Sequence, residues 1–152
     1  MSFENTVLND NLDLGAGEVI ASSPYNVSSF ETFEAGLVAG RFVKYDAGSI
    51  DNLDASASPL IAGIAKRNIT ESLDDDSNTQ VAQVINFGFA TVEVTAAATP
   101  VKYESVQVVN DATADAGKAT NAAGVGIVPA GDVVFWEQKA ADVWLVRINK
   151  FI

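Results

Sequence analysis

Val84-Ile85-Asn86-Phe87-Gly88-Phe89-Ala90-Thr91-Val92-Glu93-Val94 is the stretch on which the fold turns. Its β-branched and aromatic residues are spaced for extended chain, with apolar side chains recurring at every second position. The phase of that spacing changes partway along. Ile85, Phe87 and Phe89 share one face of an extended chain, whereas Ala90, Val92 and Val94 share the opposite one, so the apolar set switches sides near Gly88. A β-bulge or a sheet corner at Gly88 reconciles the two.

Outward from this stretch, short apolar runs alternate with Gly, Asp, Asn, Ser and Pro clusters, the signature of strands and turns. The pattern predicts strands over 18–21, 41–45, 60–66, 80–87, 90–95, 101–103, 105–109, 124–128, 132–137 and 142–151. In the last, Val143 and Leu145 point one way and Trp144, Val146 and Ile148 the other, so it is expected in the centre of a sheet or beneath a neighbouring subunit. Helical signals are weak. Only Ser28 to Val38, with Ser28 as cap and Glu31 three residues on, reads as a short helix, which Gly36 limits. The expectation is an all-β domain, a compact sandwich or barrel with a jelly roll included.

The chain of 152 residues fits one domain. Residues 1–15 are polar with isolated Phe3, Val7, Leu12 and Leu14, and read as an extended N-terminal arm, with a frayed terminus as the even alternative on general grounds and the spaced apolar residues favouring docking; 16–152 read as the β domain. The sequence contains no cysteine and no histidine, which removes disulfides, thiolate metal sites and the commonest general base. Twenty acidic residues against 9 basic ones give a net charge of −11, a balance that repels a phosphate backbone. Nucleic acid is therefore not an expected partner. The hydrophobic fraction is nonetheless 48%, more than one small core is expected to hide, which points to subunit contacts. No basic residue precedes Arg41 and no apolar run approaches the roughly 20 residues that span a bilayer, so neither a secretory signal nor a membrane partner is expected, and synthesis is expected in a host cytoplasm.

Compared with itself, the chain shows a repeat. Val43-Lys44-Tyr45-Asp46 returns as Val101-Lys102-Tyr103-Glu104, and Ala62-Gly63-Ile64 as Ala123-Gly124-Val125. Between these landmarks lie small polar loops, 46–58 and 110–121, that read as surface turns. Two similar halves, about 36–95 and 96–152, are expected to pack across a pseudo-two-fold.

The order of these signals is that of a known group. Ala39-Gly40-Arg41-Phe42-Val43, then Ile61-Ala62-Gly63-Ile64-Ala65, then Val84 to Val94 with Gly88, then Val101-Lys102-Tyr103, then Ala123-Gly124-Val125-Gly126-Ile127 and a final apolar strand resemble the capsid cement or decoration proteins of tailed bacteriophages. The resemblance covers roughly 36–150 and leaves the first 35 residues unmatched. It implies a compact β domain that sits on the outer surface of a phage head, commonly as a homotrimer, and clamps major capsid protein subunits together.

Sites for chemistry are sparse. Asp74, Asp76 and Asn78 have the one-three-five spacing of a calcium loop, but Thr79 stands where the loop needs Gly and Ile85 where it needs a bidentate Glu, so a solvated acidic loop is the better reading. Serine activation without histidine requires Lys44, Lys66, Lys102 or Lys118 buried beside a serine, and nothing in the sequence places them so. Glu93 and Glu104 read as exposed strand positions rather than a hydrolytic pair. Gly124 and Gly126 supply two glycines of a dinucleotide fingerprint but no third and no following helix. No enzyme activity, cofactor or metal is expected. Trp136 and Trp144 are candidate interface anchors alongside Phe3, Val7, Leu12 and Leu14, although packing in the domain's own core is the slightly favoured reading of both tryptophans. The leading expectation is a virion structural protein. The alternative is a carbohydrate- or cell-surface-binding β module of a fibre or adhesin.

Overall fold

Gly88 lies inside one continuous strand, and the strand changes neighbours there. The computed structural model describes residues 15–67 and 81–151. Within them the chain forms β1 (Asn26–Phe30), β2 (Phe42–Asp46), β3 (Ser49–Asn52), β4 (Leu60–Ala65), β5 (Ala82–Glu93), β6 (Ser105–Val109), β7 (Ala119–Thr120), β8 (Ile127–Ala140) and β9 (Val143–Phe151), with no helix. Up to Phe87, β5 pairs with β1 and β4; from Gly88 to Glu93 it pairs with β9. Gly88 has φ +103°, and a Cβ there would lie 2.6 Å from the Pro24 carbonyl oxygen. Only glycine fits both conditions without strain. The phase change read from the sequence is thus a sheet corner.

Strand order runs β3-β2-β4-β5-β9-β8-β6-β7, with β1 added beside the first part of β5. This is the same arrangement used twice. β1 through β5 give the order β3-β2-β4-β5-β1, and β5 through β9 give β7-β6-β8-β9-β5, so β5 closes the first unit and opens the second. Each unit also curls back on itself by a parallel bridge, Phe33 beside Ile50 in the first and Val94 beside Ala119 in the second. Thr95 N donates to the Ala119 carbonyl at 3.0 Å, and Glu34 N to that of Ile50 at 2.8 Å. All named pairs are antiparallel, as hairpins and short crossovers require.

Two apolar clusters follow from this arrangement. The larger joins Val92, Val106, Val108, Phe135, Val146 and Ile148 of the second unit to Phe42, Ile61, Ile64 and Ile85 of the first. A smaller one gathers Val43, Ile50, Ala62, Ala65 and Val84, covered by Phe30 and Phe33. β2, β4 and the start of β5 therefore bury both faces, which is why Leu60–Ala65 shows no alternation. Each fully buried Val, Ile or Phe side chain contributes about 1.5–3 kcal/mol.

Several expectations change. The helix over Ser28 to Val38 is replaced by β1 and a turn, because backbone pairing with β5 and burial of Phe30 and Phe33 outcompete a local cap. The loop 46–58 contains β3 and buries Ile50 and Leu53. Val101-Lys102-Tyr103 forms a turn, with Tyr103 at φ +74°, and Val125 sits fully exposed at a loop tip. Neither second landmark therefore has the environment of the first. What repeats is strand order, with β6 as the counterpart of β2 and β5 shared by both units. The expected strand over 18–21 is reduced to a bridge from Val19 to Ala90.

Candidate functional site

The outer face of the second unit carries a cluster of rings and cations. On β5, Phe89 turns away from the large core and meets Trp136 of β8 edge to face, centroids 5.1 Å apart and planes at 75°. Tyr103, held on its turn by a 2.7 Å bond from its N–H to the Phe135 carbonyl, meets the same indole at 5.5 Å and 84°. Such edge-on pairs are the geometry that ring quadrupoles favour. Lys102 Nζ lies 4.7 Å from the Trp136 centroid and 5.2 Å from that of Tyr103, and Arg147 Cζ lies 5.4 Å from Trp136. Both are within cation–π range. Among the described residues neither Lys102 nor Arg147 forms an ion pair, and Arg147 Nε is buried without a hydrogen-bond partner. Val101 and Tyr103 remain 63% and 64% exposed. A protruding, ring-backed, positively charged patch on so acidic a chain is suited to contact with another macromolecule.

The two tryptophans separate here. Trp136 belongs to this outer patch, while Trp144 packs against the large core with its ring edge-on to Phe135 at 5.6 Å. Phe3, Val7, Leu12 and Leu14 lie outside the described residues, as do Asp74, Asp76 and Asn78. The sequence reading singled out Trp136 but not its partners Phe89, Lys102, Tyr103 and Arg147. They come from two strands and a turn, and only the β5–β9 and β8–β9 pairing, with Arg147 beside Phe89 and Val134, brings them to Trp136 on β8.

A second feature lies at the other end of β6. A cleft of about 380 Å³ opens between the two units, lined by Glu34, Val38, Arg41, Asp54, Asp111 and Ala112 among others. Arg41 Nη2 bonds to Glu93 Oε1 at 2.8 Å, and Lys118 Nζ shares that oxygen at 3.2 Å while reaching Asp115 at 2.8 Å. Hydrogen bonding to Asp115, then to Glu93, raises the Lys118 pKa above its ordinary 10.5. Glu93 is thus a half-buried structural anion, contrary to the exposed position expected of it. Glu104 accepts from Val101 N at 3.0 Å and Asn121 Nδ2 at 3.2 Å, fixing the turn that presents Tyr103.

Lys44 meets the condition set for a serine–lysine pair, being 4% exposed with Nζ 2.9 Å from Ser56 Oγ. It is the donor in that bond, and it donates also to Asp54 at 2.7 Å. A base would have to accept the serine's proton. The triad instead pins the 54–58 loop, which Asn110 clamps from the second unit by accepting from Ala55 N and donating to the Ser56 carbonyl. Among the described residues no group of three carboxylates is placed to hold a metal ion, and no helix is long and apolar enough to cross a membrane.

Comparison with known proteins agrees with a particle component. A family model described as XM1 gp53 minor capsid protein matches residues 3–150. A solved chain from a structure described as "The capsid of Myoviridae Phage XM1" is 58% identical, covers 100% of both chains and superposes with a TM-score of 0.86. No curated protein matches.

Proposed function

The chain belongs to the XM1 gp53 minor capsid protein family, and from that membership we propose a finer role: a cement subunit, associating as a homotrimer, that binds the outside of a phage head and holds neighbouring major capsid proteins together. It is a minor capsid structural protein of a tailed phage, and so a part of the virion. The observation that carries the finer reading is the patch of Phe89, Tyr103 and Trp136 under Lys102 and Arg147, which have no ion-pair partner among the described residues, since aromatic and Arg side chains are enriched at the centres of protein contacts. The charge of −11 favours the outer surface, where the subunit meets solvent and protein instead of packaged DNA. The role is structural rather than catalytic. Lys44, buried beside a serine, acts as a donor that braces a loop.

The test is direct imaging. Empty heads are incubated with and without the purified chain and reconstructed. Added density on the exterior at junctions between capsid subunits is expected; density on the interior, or none at saturating chain, overturns the reading. Retention on a glycan column with no affinity for heads would favour a carbohydrate-binding module instead.

A further inference from the structure

We propose that the basic turn carrying Lys102 and Tyr103 docks into the acidic cleft of a second copy, head to tail. This deepens the reading above and rests on its self-associating part. Three observations carry it. The turn projects Val101 and Tyr103 into solvent beside two cations, Lys102 and Arg147, that have no carboxylate partner among the described residues. The cleft has the opposite character. Glu34 and Asp111 line it without an ion pair among the described residues, and half-exposed Val38 with Ala112 gives it an apolar wall. Its own cation, Arg41, is already bound to Glu93.

The third observation is placement. The turn leads into β6 at Ser105, and the cleft's Asp111 and Ala112 follow β6 at its far end, after Val109. A five-residue strand spans about 17 Å, too far for the turn to fill the cleft of its own chain. With the two complementary surfaces at opposite ends of one strand, the contact is heterologous. Such a contact propagates in one direction and, where its rotation closes, forms a ring, the arrangement that the proposed trimer requires. Opposite charges at such a contact set register and partner choice.

The experiment uses the full chain in sedimentation velocity, with circular dichroism as a check on folding. Lys102→Glu reverses the charge of the turn; Ala112→Lys adds a cation to the cleft without removing a hydrogen bond. Each variant alone is expected to weaken association about tenfold or more at low salt. Both substitutions in one chain are expected to recover it, because the reversed turn of each copy then meets the added cation in the cleft of the next, at every contact of the ring. Single variants that associate like wild type, or a folded double variant that fails to recover, overturn the proposal. So does a wild-type chain that stays monomeric, and in that case binding of the monomer to empty heads leaves the cement reading standing. If Lys102→Glu keeps the oligomer but loses the heads, the turn faces the capsid protein and the proposal fails.

Discussion

Arg41 at the entry to β2 holds Glu93 at the end of β5, Nη2 to Oε1 at 2.8 Å, and so ties the first half to the strand shared by both. Arg41 Nη1 also donates to the Ala114 carbonyl at 2.6 Å, extending the tie to the loop after β6. Both side chains are only about one-fifth exposed, at 18% and 22%, so the pair is screened less than a surface bridge. Glu93→Ala leaves Arg41 and Lys118 without their shared anion. The expected loss is about 1–3 kcal/mol, seen as a lower urea midpoint at unchanged slope. On the alkaline side, Lys118 has a raised pKa, so its contribution is complete below 10.5 and declines as pH rises through the higher folded value.

Gly88→Ala tests the corner. At φ +103° an L side chain is strained, and the new Cβ meets the Pro24 oxygen at 2.6 Å and Tyr25 Cβ at 2.9 Å. Both β1 pairing and the switch to β9 depend on this point. A cost of about 1–3 kcal/mol is expected, larger than for alanine at Gly36 or Gly48, where a Cβ meets nothing within 4 Å. Comparative thermal melts of the three variants decide it.

Asp54 predicts an acid-side dependence. Hydrogen bonds from Lys44 first, then from Ser56, pull its pKa below the ordinary 3.8. A depressed carboxylate contributes stability above its unfolded value and loses it as pH falls through the folded one. The 54–58 loop should therefore loosen only as pH drops below 3.8, and Asp54→Asn should flatten that part of the profile while lowering stability near neutrality. Because the side chain is 60% exposed, the effect is read as local amide exchange at Ala55 and Ser56 and not as a global transition.

Much of this fold was legible because its decisive signals are local. The phase change across Gly88 needs only alternation to be seen, and β9 announces a central strand by being apolar on both faces, as the burial of Val143, Leu145, Val146 and Ile148 bears out. Signals that compete with tertiary pairing misled. Ser28 and Glu31 suit a capping box, yet Ser28 lies opposite Val84 in a sheet. The tetrapeptide match at Val101 to Glu104 pairs β2 with a turn; what the two units share is strand order, which similarity between two short words cannot report. The outer patch was half legible. A tryptophan is a visible candidate anchor, but cations at positions 102 and 147 become its neighbours only through long-range strand pairing.

The division between the tryptophans gives the last prediction. Trp136 stacks with Phe89 and Tyr103 on the outer face, and Trp144 seals the large core against Phe135. Trp144→Ala should therefore cost about 2–4 kcal/mol of folding stability, with whatever chain remains folded still binding heads. Trp136→Ala should cost less stability but remove the ring under Lys102 and Arg147, weakening the contact between copies by about 2 kcal/mol or more. Fluorescence separates the two without relying on stability. In a Trp144→Phe background the remaining indole reports the patch alone, and its emission should shift to the blue as rising protein concentration drives association of copies and water leaves the ring. An unchanged spectrum across the association range would place the contact between copies elsewhere on the molecule.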